Sequence, residues 1–199
     1  MKQAYPAANI KKQHLIETAT RLFNRHGYHA VGIDRIIQES DVAKMTMYRH
    51  FPSKDSLVSE VLQQRMGNIQ ASISESVATR GDALDKLREV FLWHGRWFDR
   101  PDFHGCMFIA ALSEFGGSDS EIIRVATVEK QRMREFIQNI VVELVRGSAA
   151  ARLTHQIVML LDGAIISAQT GKKRRAALDA WEAAKCLVAT QLRRGQVAG

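Results

Sequence analysis

From Ile10 onward, apolar residues recur at helical spacing and almost never alternate with period two. Leu15, Ala19, Leu22 and Phe23 share one face of a first helix, which Gly27 ends, with Tyr28 folding back on the last turn. Asp34 is expected to cap a short second helix whose inner face is Ile36 and Ile37, and Ser40-Asp41 is turn chemistry. A third short helix, Lys44 to His50, is stopped by Pro52. Ser53 caps a long fourth helix, with Asp55 in its first turn and a narrow stripe of Leu57, Val61, Leu62, Met66, Ile69 and Ile73. Beyond Gly81, five more helical stretches are predicted, about 83–99, 103–115, 119–146, 149–169 and 176–194. Residues 1–9 are polar and without period, as in a frayed tail. The expected fold is all-α, with about nine helices.

A chain of 199 residues with 46% hydrophobic content can bury a real core. Its net charge of +7 attracts phosphate, anionic lipid or acidic protein, and does not choose among them. Placement narrows the choice. Between Val42 and Lys54 lie Lys44, Arg49, His50 and Lys54 and no carboxylate. A second basic run, Lys172 to Arg175, reads as a solvated loop rather than a second nucleic-acid site. The two cysteines, Cys106 and Cys186, are far apart and form no CxxC pair, so neither a zinc module nor a disulfide scaffold is expected. There is no HExxH, phosphate loop, nucleophile–base pair or metal-spaced cluster, so no catalytic residue, metal or cofactor is assigned. An all-helical enzyme whose site assembles only in space is the alternative. No apolar region follows Lys2, and the apolar stretch Ile157 to Ile166 is short and broken by Asp162, so neither signal peptide nor membrane span is expected. A cytoplasmic protein is the expectation.

The third helix is bracketed by apolar Val42 and Phe51, yet its other side chains include Lys44, Thr46, Tyr48, Arg49 and His50. Cations and hydroxyls on one short helix suit base edges and phosphates in a major groove; a solvated face beside a core is the plainer reading. The run Val42-Ala43-Lys44-Met45-Thr46-Met47-Tyr48-Arg49-His50-Phe51-Pro52-Ser53-Lys54-Asp55-Ser56-Leu57 resembles the recognition helix of the tetracycline-repressor (TetR) family, where V-S-x-G-T-L-Y-x-H-F-x-x-K-E-x-L is typical. Ala19, Leu22, Phe23, Gly27 and Tyr28 fit the same pattern, and the resemblance covers about residues 10–62. It implies a three-helix helix-turn-helix domain, 1–55, followed by a helical ligand-binding and dimerisation domain, 56–199. It also implies Lys44, Thr46 and Met47 near bases or the adjacent backbone, and Tyr48, His50 and Lys54 on phosphates. Arg35 is expected on the backbone or a flanking base, and Arg49 belongs to the same DNA-facing set. Ala43 stands where a capping Ser or Thr is usual, Met45 where glycine is common, and Asp34 where Thr is frequent.

By the same resemblance the partners are a palindromic DNA operator, a second copy of the chain and a small organic effector that releases a repressor from DNA. A constitutive regulator without effector is the alternative. The last two predicted helices carry the stripes Leu153, Ile157, Leu160, Leu161, Ala164, Ile165 and Leu178, Trp181, Ala184, Leu187, Val188, Leu192, suited to pairing or to ordinary core. Effector candidates are Trp93, Trp97, Phe98, Cys106, Met107 and Phe115, with Phe103, Phe108, His94 and His104 nearby; the same residues at helical spacing also read as core. His104-Gly105-Cys106-Met107-Phe108 resembles a Gly-Cys pattern of one branch of the family, in which a cysteine senses electrophiles or oxidants. A buried, inert thiol is the other reading.

Overall fold

Nine α-helices run through the residues that the computed structural model describes, 7–171 and 173–197. They are α1 Ala7–His26, α2 Ile33–Ser40, α3 Lys44–His50, α4 Lys54–Ala78, α5 Ala83–Phe98, α6 Met107–Phe115, α7 Glu121–Val141, α8 Ser148–Gln169 and α9 Lys173–Val197. The fold is all-α, as expected.

Local chemistry explains most boundaries and corrects several. Helix α1 begins three residues before Ile10, and residues 1–6 of the expected tail lie outside the described residues. Gly27 ends α1 at φ +80°, its amide donating to Phe23 O at 2.9 Å, and the Tyr28 ring returns to within 5.2 Å of the Phe23 ring. Asp34 is not the cap of α2. Gly32 holds that position without a side-chain bond, and Asp34 lies in the first turn, where its carboxylate still favours the helix dipole. Asp41 closes α2 in the left-handed region at φ 51°, so the turn into α3 needs no glycine. Ser53 does cap α4: its Oγ accepts from the Ser56 amide at 3.1 Å, while Ser56 Oγ accepts from the Ser53 amide at 3.1 Å, a reciprocal capping box.

Farther on, α6 begins at Met107 rather than 103, because Gly105 sits at φ +110° and breaks the helical path. Helix α7 ends at Val141 rather than 146. There the backbone bonds tighten to three-residue spacing, Glu143 N to Ile140 O at 3.2 Å and Leu144 N to Val141 O at 3.0 Å. The expected basic loop is also corrected: α9 starts at Lys173, so the run enters its first turn, while Lys172 lies outside the described residues.

The chain divides into two compact units, Met1–Gly67 with Cys106–Glu129, and Asn68–Gly105 with Lys130–Gly199. This differs from the expected division at residue 55, because α6 and the front of α7 pack with the N-terminal helices. The first unit buries Leu15, Leu22, Tyr28, Ile36, Met47, Leu57, Leu62 and Phe108 almost completely, each worth about 1.5–3 kcal/mol. Its long-range tie is Glu114 of α6. Glu114 Oε1 accepts from the Tyr28 amide at 2.9 Å, Oε2 accepts from the His29 amide at 2.7 Å, and the Tyr28 hydroxyl donates to Met107 O at 2.8 Å.

In the second unit α8 packs on α9, and α5 packs on both. The α8 stripe of Leu153, Ile157, Leu161, Ala164 and Ile165 is buried within this unit, as are Trp181, Ala184 and Val188 of α9. Most of the two expected pairing stripes is therefore intramolecular core. The apolar side chains left exposed are Met159 and Ile166 on α8 and Leu178 and Leu192 on α9. By length and composition α8 could cross a membrane, being 22 residues rather than the ten of its most apolar stretch. Its packing against α5 and α9 also gives it the character of a core helix.

Among the described residues, Glu89, His94 and Thr154 are polar side chains buried in this unit. Glu89 accepts from Ser76 Oγ and Arg96 Nη2, and pairs with Arg80 Nη2 at 2.7 Å. His94 is buried, with Nδ1 2.8 Å from Val90 O.

Candidate nucleic-acid interface

Helix α3 has seven residues and two opposite faces. Val42, Met47 and Phe51 are buried and hold it against α1 and α2. Since two residues advance a helix by about 200°, Met45 and Met47 fall on opposite sides. Met47 is 0% exposed and Met45 83%. The expectation of Met47 near DNA is corrected here: its side chain is core. Ala43 gives no side-chain cap, and its carbonyl takes both the Thr46 and Met47 amides, at 2.8 and 3.1 Å.

Around Met45 the exposed face carries Lys44, Tyr48 and Arg49, with Thr46 half-buried at its edge. Lys44 Nζ donates to Asp34 Oδ1 at 3.0 Å, and that bond holds the lysine above its ordinary pKa. Arg35 Nε donates to Glu39 Oε1 at 2.9 Å, and Arg21 Nη2 to Oε2 of the same carboxylate at 2.9 Å. Both hydrogen bonds, Arg35 first, depress the Glu39 carboxyl pKa. Arg35 and Lys44 are thus each paired to a carboxylate of α2. Lys54 opens α4 beside the capping box, half-buried. His50 is half-buried, and its Nε2 is shielded from solvent without a hydrogen-bond partner. A buried ring nitrogen left unpaired is costly unless an outside group completes it.

The surface is therefore a short helix pinned by apolar anchors, presenting cations, hydroxyls and one bare apolar arm. Residues 15–61 match the family described as bacterial regulatory proteins, tetR family. A TetR-family transcriptional regulator from Streptomyces coelicolor, SCO4454, superposes with TM-score 0.87 at 26% identity, covering 92% of this chain and 97% of that one.

Residues 15–61 are thus a TetR-type helix-turn-helix, on a chain with the fold of a TetR-family transcriptional regulator.

Among curated TetR-type relatives, the activator FasR of Mycolicibacterium smegmatis is 33% identical over 78 residues, 39% of this chain and 36% of FasR. The repressor DhaR of Mycobacterium sp. is 33% identical over 96 residues, 48% of each chain. The match thus spans about a third to a half of the length of these two relatives. They are transcriptional regulators and not enzymes.

The effector candidates fall in both units. Trp93, Trp97 and Phe98 lie in the second unit. There Trp97 stands 6.0 Å from Trp93 and 5.1 Å from Phe103, ring to ring, and Phe98 is 6.1 Å from His94. Trp93 Nε1 donates to Ser72 Oγ at 3.0 Å. Cys106, Met107 and Phe115 belong to the first unit. Phe115 stacks on Tyr28 and His29, at 5.6 and 4.8 Å, and Met107 is buried beside the Tyr28 hydroxyl. Cys106 is half-buried at the N-cap of α6. The sequence marks Met45 only as a departure from glycine; counting about 200° from a core Met47 places it on the exposed side.

Proposed function

We propose that this regulator binds a palindromic operator as a homodimer, each copy laying α3 in a major groove, and that it represses until a small organic effector releases it. The observation that carries the reading is the division of α3 itself. With Val42, Met47 and Phe51 inward, the rotation of the helix is fixed, and Lys44, Tyr48 and Arg49 are left on its outer side. Phosphate contacts from Tyr48, Lys54 and the half-buried His50, with Arg35 on the flanking backbone, would set register. Lys44 and Thr46 would read bases, with Arg49 beside them.

One helix-turn-helix reads few bases, and a two-fold partner doubles the site. The exposed Met159, Ile166, Leu178 and Leu192 support a second copy seated on α8 and α9. Effector binding is supported by the aromatic group around Trp97, which combines apolar surface with a few polar groups, His94 among them. Such an effector acts only through different affinities for two states of the protein. Cytoplasmic residence follows from the proposed contact with DNA.

Selection of bound DNA from a random pool tests the reading. A two-fold site with half-sites about 10 bp apart, or a multiple of that, is expected. Failure to enrich any sequence, with binding that tracks charge alone, refutes it. Release of that DNA by small organic compounds separates the effector-responsive reading from a constitutive regulator.

A further inference from the structure

We infer that Met45 is a sequence-reading residue of the α3 face, its thioether arm seated against the C5-methyl group of a thymine in each operator half-site. The inference rests on the DNA-binding reading above and adds to it a base and a position. A lone exposed apolar side chain is ordinary on a protein surface. Met45 is not in an ordinary place. It is 83% exposed, stands between Lys44 and Thr46, and lies in a stretch, Val42 to Lys54, without a carboxylate.

The direction of the arm is fixed from behind. Met47, at 0% exposure, and the buried Val42 and Phe51 lock the rotation of α3. Met45 therefore leaves the helix on the side away from the core, together with Lys44 and Tyr48. In a major groove nearly every group on the base edges is a hydrogen-bond donor or acceptor; the thymine methyl is the apolar exception. An unbranched thioether is long and pliable enough to meet that methyl without demanding one rotamer. Against cytosine or guanine at the same place, Met45 would cover a polar edge and leave it unpaired, which disfavours those bases. Met45 thus discriminates by an apolar contact, alongside the charges of Lys44 and Arg49.

The test uses the full chain and the operator obtained by selection. Each thymine is replaced in turn by deoxyuridine, which removes only the methyl. One symmetric pair of thymines is expected to matter, with affinity falling about fourfold for each methyl removed there. Met45→Leu should keep the distinction between thymine and uracil at that pair. Met45→Ser should bind both operators equally while keeping the parent's salt dependence. Met45 is solvent-exposed, so neither change threatens folding. If no thymine is methyl-sensitive, or if Met45→Ser retains the parent's sensitivity, the inference is overturned and the DNA-binding reading stands. A chain that selects no DNA overturns that reading, and this inference with it.

Discussion

Glu114 and Tyr28 are joined by a carboxylate-to-backbone bond of 2.9 Å, and the second oxygen of Glu114 takes the next amide, that of His29, at 2.7 Å. One side chain thereby satisfies two successive donors in the turn between α1 and α2. Glu114→Ala should cost about 1–3 kcal/mol, chiefly for the part-buried Tyr28 amide, since water can replace the carboxylate at the exposed His29 amide. Glu114→Gln, which retains one good acceptor, should cost less. Urea denaturation measures both. Gly27→Ala should also destabilise: a Cβ there would meet Glu114 Oε1 at 2.9 Å, with φ at +80°. Equal stability of all three variants and the parent would show that the tie contributes nothing.

His94 should make stability depend on pH in weak acid. Burial lowers its pKa to about 4, with Lys130 adding to the effect and the Val90 carbonyl and Asp162 opposing it. The unfolded chain, with a histidine near 6.5, binds more protons between these values. The stabilising contribution is therefore complete above pH 6.5 and is lost as pH falls toward 4, on the order of 3 kcal/mol across the window. A series of urea midpoints from pH 7.5 to 4 should show this slope, and His94→Gln should flatten it.

Glu89 acts lower on the scale. Burial pushes its carboxyl up, but hydrogen bonds from Ser76 and Arg96 and the charges of Arg96 and Arg80 outweigh that, leaving it below 4.5. Its stabilisation is present above pH 4.5 and disappears as pH falls through the depressed value. Glu89→Gln should weaken the protein at pH 7 and remove the steepest part of its acid unfolding, as followed by far-ultraviolet circular dichroism.

On the DNA face, Tyr48→Phe and Lys54→Ala should weaken binding to every sequence. Removing one cation from a phosphate should lower the salt slope by about one. Lys44→Ala should instead change which operator is preferred. Asp34→Asn frees Lys44 from its 3.0 Å partner and should raise affinity for unrelated DNA, narrowing the gap between specific and non-specific binding. Anisotropy titrations at several salt concentrations check all four. If none of them alters binding, the assigned face is wrong.

Ile166→Glu combined with Leu178→Glu places charge on the exposed apolar positions of α8 and α9. Sedimentation should show monomers, with operator affinity falling steeply and the helical content of each chain unchanged. A variant that stays dimeric would move the pairing surface elsewhere.

The helix-turn-helix was legible because its punctuation is dense and local. Gly27, Asp41, Pro52 and Ser53 each force a break within a few residues, and apolar spacing between them sets the inner faces. What escaped was set by competition or by distance. Asp34 has cap chemistry, but Gly32 takes the position and Lys44 takes the carboxylate. The start of α6 depends on the backbone of Gly105, which no periodicity reveals. On α3 the exposure of the charged residues Lys44 and Arg49 was legible. Met47 was expected on the outer side and Met45 stood only as a departure from glycine, because a resemblance fixes positions along the chain and not the rotation of a helix. The membership of α6 in the first unit turns on Glu114, whose partner lies 86 residues away, beyond any local pattern.

That separation bears on how the chain is born. A ribosome delivers Tyr28 long before Glu114, so the first 67 residues emerge with two amides unclaimed and the Tyr28 ring lacking its cover of Phe115. The DNA-binding unit cannot finish folding as a leading domain. It waits for α6 to clear the exit tunnel, so the turn between α1 and α2 gains its last partners only after more than half of the chain has been made.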